Sequence, residues 1–209
     1  QLGRSQAAVL PYLTRALELT RKSLGNHHEQ TAVALHNLAD IKRNGGELDE
    51  ALKLEQEAVQ IAEAAHATGL GVHFKRLVCI IQRERNDVAN VLAACDRSKA
   101  AADEVYGAQS QLHLDGLAQW ASALALVNQK KEARAQFDVF YAEAKKLKLD
   151  DTMMTASHYI VFLQLLELPR ERVFAQRLVD LALRAFGDDL SAAGERERIV
   201  AWKEKYLAD

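Results

Sequence analysis

RALELTRKSLGNHHEQTAVALHNLADIKRNGGELDEALKLEQEAVQIAEA, residues 15–64, holds the pattern on which the fold turns. Its apolar residues return at spacings of three and four, the signature of amphipathic helices, and strand-like alternation is hard to find. Two breaks, LGNHHE at 24–29 and NGGELD at 44–49, cut it into three helical stretches. The segment RALELTRKSLG (15–25) is answered 42 residues later by EAVQIAEAAHA (57–67), so that Ala16 maps to Ala58, Leu17 to Val59 and Leu19 to Ile61. Further out, Gly25, Gly107 and Gly187 each follow an apolar or aromatic residue at separations of 82 and 80, about two such periods each.

The punctuation continues as ERND at 84–87, YGAQS at 106–110, NQKK at 128–131, KLDDT at 148–152, LPRE at 168–171 and GDDLS at 187–191. The spacing predicts helices over 6–23, 28–44, 48–66, 71–84, 88–105, 111–127, 131–147, 152–167, 170–186 and 191–206. Loops this short make consecutive helices antiparallel neighbours. Within each repeat, large residues precede a small one. Leu35, Leu38 and Ala39 are followed by Ala51, and Leu117, Trp120, Ala121 and Leu124 by Ala133 and Phe137. Tyr159, Phe162, Leu163 and Leu166 are followed by Ala175 and Val179. The gap from Ala39, Ala121 and Leu163 of the first helices to the alanine of the second is twelve in all three cases. Phe74, Leu77, Val78 and Ile81 are followed by Ala89, one residue short of that gap. Large residues build one buried face of the first helix, and small ones let the second approach closely.

Composition agrees. Of 209 residues, 35 are alanine, the best intrinsic helix former, and only 2 are proline and 10 glycine, too few for a turn-rich sandwich or barrel. A net charge of -2 leaves no global basic field for nucleic acid, so no nucleic-acid partner is expected. No apolar run approaches the roughly 18 to 20 residues of a membrane span, and QLGRSQAAVLPYL at the N-terminus lacks the layout of a signal peptide. A cytoplasmic protein without a membrane partner is the expectation. Cys79 and Cys95, 16 residues apart, form no CxxC pair and suggest no disulfide framework; they read as small packing residues of a reducing compartment.

The layout of large and small residues is similar to the W-x2-L-G-x2-Y…A-x3-F pattern of the tetratricopeptide repeat. Residues 15–64 resemble the 42-residue repeats of kinesin light chain, which read roughly RALEIxxxxLGxDHPxxAxxLNNLAxxxxxxGxxxEAxxLxxxAL. Arg15 to Leu19, Leu24-Gly25, His28, Ala32, Leu35, Asn37-Leu38-Ala39, Gly46, Glu50-Ala51, Leu54 and Ala58 fall in register. His27 replaces the family Asp, Glu29 the Pro and His36 the first Asn of LNNLA. The resemblance implies an all-α fold, a right-handed α-solenoid of about four such helical hairpins forming one domain over 1–209, as a fragment of a longer chain. Its parts would be a leading second helix at 1–24, repeats at 25–66, 67–107, 108–149 and 150–187, and a cap at 188–209. In that register Val200 and Ala201 take core positions in the cap and Glu197 falls where Leu35 sits, turning a more polar face outward.

No catalytic constellation is visible: HExxH, GxSxG, the P-loop and GxGxxG are all missing. His27, His28, His36, His66, His73, His113 and His158 are dispersed rather than convergent. Neither enzyme activity, metal nor cofactor is expected. Lys130-Lys131, Lys145-Lys146-Lys148 and Glu195-Arg196-Glu197-Arg198 read as solvated faces.

A stacked helical repeat presents the first helix of each pair on its inner surface. The residues not spent on the core there are the candidate groove for a protein or peptide ligand: His36, Asn37, Asp40, Arg43, Lys75, Arg76, Gln82, Arg83, Gln119, Ser122 and Gln164. Asn37 stands at the second Asn of LNNLA, whose amide in the resembling family contacts ligand backbone. Lys75, Arg76 and Arg83 suit carboxylates, and Ala118, Ala125, Leu126, Ile160 and Val161 leave room for an apolar anchor. The bland readings stay open: Asn37 bonding within its own hairpin, the cations as plain solvated charge, and the apolar strip covered by the last helix or by other parts of the parent protein. The leading function is a protein-interaction module. The alternatives are a self-assembling structural scaffold, which would be a homo-oligomer, and a peptide-sensing regulatory domain of a larger protein.

Overall fold

The computed structural model describes residues 2–207. The described residues are helices joined by short turns, with no strand among them. The chain divides into two compact units, Gln1–Val105 and Tyr106–Asp209.

In the first unit α1 (Leu2–Leu24), α2 (Glu29–Asn44), α3 (Leu48–Ala64), α4 (Thr68–Glu84) and α5 (Val91–Tyr106) follow one another, and α1 to α4 pack consecutively. The spacing pattern builds the core as expected. Ala32, Leu35, Ala58, Ile61 and Phe74 form one cluster, and Ala39, Ala51, Leu77 and Ile81 the next. Ala39 and Ala51 are both wholly buried, each lacking the side chain that would hold α2 and α3 apart. Repeat two departs from the expectation. Ala89 is exposed in the turn before α5, which starts at Val91, so Val91, Ala94 and Cys95 fill the place instead.

The second unit contains α6 (Gln111–Leu126), α7 (Lys130–Lys146), α8 (Met153–Ala156), α9 (Tyr159–Leu163), α10 (Arg172–Phe186), a 3₁₀ turn at Leu190–Ala192 and α11 (Ala193–Tyr206). Its core runs through Leu117, Phe137, Phe140, Tyr159, Phe162 and Leu178. Phe137 and Phe162 stack at 4.9 Å between centroids.

Two sequence expectations fail in this unit. The helix expected over 152–167 is two short pieces, α8 and α9. Local side chains explain the break. The Ser157 hydroxyl donates to the Met154 carbonyl at 2.7 Å, and the His158 N–H reaches Thr155 O, three residues back, at 3.2 Å. Ser and Thr compete for backbone groups in this way. His158 is also drawn to the buried carboxylate of Asp115, with Nε2 3.2 Å from Oδ1. In α11 the core positions are Ile199 and Trp202 rather than Val200 and Ala201, the latter being exposed. The 3₁₀ turn winds more tightly than an α-helix and shifts the register of the face that follows.

The corners show the period directly. Backbone φ is positive at Gly25, Gly46, His66, Asn86, Gly107, Asn128, Lys148 and Gly187. Through Lys148 these fall every 20 or 21 residues, half of the 40- to 42-residue repeat. After Gly46, His66, Asn86, Asn128 and Lys148 the next N–H bonds a carbonyl five residues back, for example Ala67 to Ala62 at 2.9 Å. That is the helix-ending motif built around a left-handed residue. The corner missing from the series falls near 168, where Pro169 fixes its own φ negative and restricts Leu168 before it.

Candidate functional site

The first unit contains most of the expected groove residues, on α2 and α4. His36 Nδ1 lies 2.8 Å from Glu55 Oε1 on α3, and its ring sits 5.0 Å from that of Phe74. Glu55 is fully buried and its Oε2 has no hydrogen-bond partner. Burial pushes this carboxyl above the usual range, with the His36 contact opposing the shift. Asp40 Oδ1 accepts from Arg43 at 3.0 Å, and Arg43 reaches Glu84 Oε1 on α4 at 2.7 Å and Asn44 Oδ1 at 2.8 Å. Lys75 pairs with Glu63 of α3 at 2.9 Å. Arg76 and Arg83 are partly buried and engaged in interactions of their own. Asn37 is exposed.

His36, Asp40 and Arg43 are therefore tied into pairs that link α2 to α3 and α4. Gln82 does not face solvent: it is 5% exposed, and its carbonyl accepts from Arg85 Nη1 at 2.9 Å. In the second unit Gln119 and Ser122 are buried too, the Ser122 hydroxyl donating to the Ala118 carbonyl at 2.7 Å. Gln164 is exposed just past the end of α9, on the rim of an open groove of about 760 Å³ between α9 and α11. Ile160, Leu163, Leu166, Leu168 and Trp202 line that groove, with Arg198 and Lys205 along its α11 side.

Sequence reasoning missed three features. The first is the cationic side of the groove: Arg198, Ala201, Trp202 and Lys205 stand at the three- and four-residue spacing of one helical face, a signal hidden by reading 195–198 as a charge run. The second is Glu55, a charged residue at a core position. The third corrects the expectation of unpaired cysteines. Cys79 and Cys95 form a disulfide between α4 and α5, whose Cα atoms are 4.7 Å apart there. The one-residue slip that puts Ala89 outside brings Cys95 into the core opposite Cys79, a consequence the sequence spacing does not show. The histidines have separate partners. His28 caps α2 by accepting from the Gln30 N–H at 3.1 Å, and His113 meets Glu143 at 2.8 Å. Among the described residues no cluster of three His, Cys, Asp or Glu could hold a metal.

Comparison with known proteins places this geometry. The family model of the tetratricopeptide repeat matches residues 2–64. Among solved structures, the chain is similar to the nearly identical TPR-like repeats of a putative kinesin light chain from Podosopora anserina. That match has a TM-score of 0.66 and 15% identity over 97% of this chain and 89% of that one. It is also similar to BtubC (BKLC) from P. vanneervenii, with a TM-score of 0.69 and 15% identity over 96% of this chain and 89% of that one. No curated protein sequence matches it. The fold is that of tetratricopeptide-type helical hairpins.

Proposed function

We propose that this chain of tetratricopeptide-type hairpins is a protein-interaction module that holds a peptide or partner segment against the face formed by α2 and α4. The observation that carries the reading is the exposed amide of Asn37, set between side chains already fixed by pairing. Arg43 is held by Asp40 and Glu84, His36 by Glu55, and Lys75 by Glu63. Side chains ordered in advance lose little entropy when a partner docks. An amide with both donors and an acceptor suits the exposed backbone of an extended segment. The test is capture from native lysate by the wild-type chain and by Asn37→Ala/Arg76→Glu/Arg83→Glu, each first checked for helicity. Partners retained by wild type and lost from the variant support the reading; identical partner sets remove it.

A self-assembling scaffold is the second reading, and one observation favours it. Ala58 and Ile61 are buried on α3, whereas their repeat equivalents on α1, Ala16 and Leu19, are exposed beside Val9 and Tyr12. Light scattering over a concentration series separates the two readings, because a scaffold grows with concentration. No described helix is long and apolar enough to cross a membrane. A cytoplasmic placement belongs to the same proposal, and the Cys79–Cys95 bridge tests it. Thiol labelling of protein denatured straight from cells finds both cysteines reactive if the compartment is reducing. Protected cysteines would argue for an oxidising compartment.

A further inference from the structure

The groove between α9 and α11 exists because the first helix of its hairpin stops early. α9 ends at Leu163 and the chain then turns through Leu166 and Leu168 toward Pro169, leaving apolar side chains as the floor of an open trough. One side of that trough is an unbroken stretch of α11. There Arg198 and Lys205 are exposed and seven residues apart, with Trp202 buried between them. Seven residues of helix rise about 10.5 Å, so the two cations stand about that far apart along the axis at their Cα atoms. Of the three acids of α11, Glu197 and Glu204 lie one residue before Arg198 and Lys205, roughly 100° around the helix, and Glu195 stands in the first turn, three residues before Arg198.

We propose that this trough takes an amphipathic, acidic α-helix of a partner protein. Two carboxylates seven residues apart meet Arg198 and Lys205, and apolar side chains three and four residues after the first fill the floor. The inference rests on the protein-interaction reading and names the chemistry of the partner. Charge complementarity selects the acids, since this side offers two cations above an apolar floor. Periodicity selects the helix. Side chains on one face of a strand recur every 6.6 Å or so and miss a spacing of about 10.5 Å, whereas a helix returns to the same face at that distance. The apolar positions inside that interval then point the same way as the acids, the layout of helix-in-groove recognition.

The probe is an alanine-rich synthetic helix, labelled with fluorescein, bearing glutamates seven positions apart and leucines at the third and fourth positions between them. Two controls accompany it: the same peptide with lysines for the glutamates, and an isomer of the first interrupted by proline. Fluorescence anisotropy with the full chain is expected to show binding of the glutamate helix alone. Arg198→Glu/Lys205→Glu, both at exposed positions and checked by circular dichroism, is expected to weaken it by about tenfold or more and to accept the lysine helix. Absence of binding to the folded chain, or equal affinity for both charge types, overturns the proposal. Equal binding of the proline-interrupted isomer overturns the commitment to a helix. The double variant leaves α2 and α4 intact, so partner capture through Asn37 is scored independently and either reading can fail without the other.

Discussion

The α2–α3 hairpin and the hairpin that runs from α8 to α10 are written with the same letters and fold differently. In the first, Leu35, Leu38 and Ala39 sit on one uninterrupted helix. In the second, Tyr159, Phe162 and Leu163 occupy the matching positions, equally buried, on a helix of five residues preceded by one of four. The small partner positions, Ala51 and Ala175, are wholly buried in both. The repeat pattern therefore sets which side chains meet, while helix continuity answers to local polar chemistry and to the corners. A left-handed Gly46 ends α2 cleanly, whereas Pro169 denies the second hairpin its corner.

If burial alone holds both hairpins, deleting a core side chain costs a similar amount in each. Leu35→Ala is expected to destabilise by about 2 to 5 kcal/mol and Phe162→Ala by about 3 to 5. Phe162 also loses its stacking on Phe137 and its contact with Phe174, so it belongs at the upper end. Denaturant unfolding of the two variants checks this. A Phe162→Ala cost below about 1 kcal/mol would mean that the broken helix packs loosely, and the parallel between the hairpins would fail.

The next test concerns what replaces the missing corner. Arg134 of α7 makes a fork to Glu171, Nη1 to Oε2 at 2.8 Å and Nη2 to Oε1 at 2.6 Å, and its guanidinium carbon lies 5.3 Å from the Phe162 ring centre. Glu171 in turn accepts from the Glu167 N–H at 2.7 Å, tying down the chain just before α10. The α2–α3 corner closes on the backbone bonds of its Gly46 turn and carries a lysine instead of a fork, Lys42 Nζ reaching Glu47 Oε2 at 2.7 Å and Glu50 Oε2 at 3.0 Å. Arg134→Ala is expected to cost about 1 to 2 kcal/mol, and Arg134→Lys to recover little, because an ammonium cannot make the two-pronged contact. The Arg134 hydrogen bonds hold the Glu171 carboxyl below the usual carboxylate range. The stabilisation is therefore present above the ordinary carboxylate pKa and is lost as pH falls through the lowered one. Thermal unfolding against pH is expected to show wild type and Arg134→Ala converging in acid.

These contrasts mark how far the sequence could be read. The shared cluster of Ala39 with Ala51, or of Tyr159 with Ala175, follows from spacing, because a helical face is a matter of counting. The corners at Gly46 and Gly107 are visible as glycines, but those at His66 and Lys148 are not, since neither residue type advertises a left-handed backbone. The break at Ser157 and His158 combines local polar bonds with a pairing to Asp115, forty-odd residues away, and no local window contains that second part. The Cys79–Cys95 bridge and the Trp202 register each follow a shift of two or three residues at a helix start, the least determined part of any periodic reading. Of the proposed groove residues, Asn37 and Gln164 are exposed. Gln82, Gln119 and Ser122 lie on the same nominal face but are buried, because a face in sequence is only an angle and the depth of its neighbours decides exposure.

The smallest expected effect separates the buried acids of the two hairpin types. Asp115 has His158 within reach and both are shielded, whereas Glu55 meets His36 with one oxygen and leaves the other unpartnered in the core. Burial raises the Glu55 carboxyl above its ordinary 4.5. A raised carboxyl favours the folded state when protonated, so its contribution is fully present below the unfolded pKa and is lost as pH rises through the folded one. At neutral pH Glu55 therefore sits at a cost that its contact with His36 only partly offsets. Glu55→Gln keeps an acceptor for a protonated His36 Nδ1 and removes the charge. The variant is expected to be as stable as wild type at neutral pH or better by up to about 1 kcal/mol, and to lose the pH dependence above 4.5 that this carboxyl supplies. Chemical unfolding at two pH values on either side of that range decides the matter. A variant less stable than wild type at neutral pH would show instead that the charged pair holds α2 to α3, making the first hairpin as dependent on an ionic clamp as the second is on Arg134.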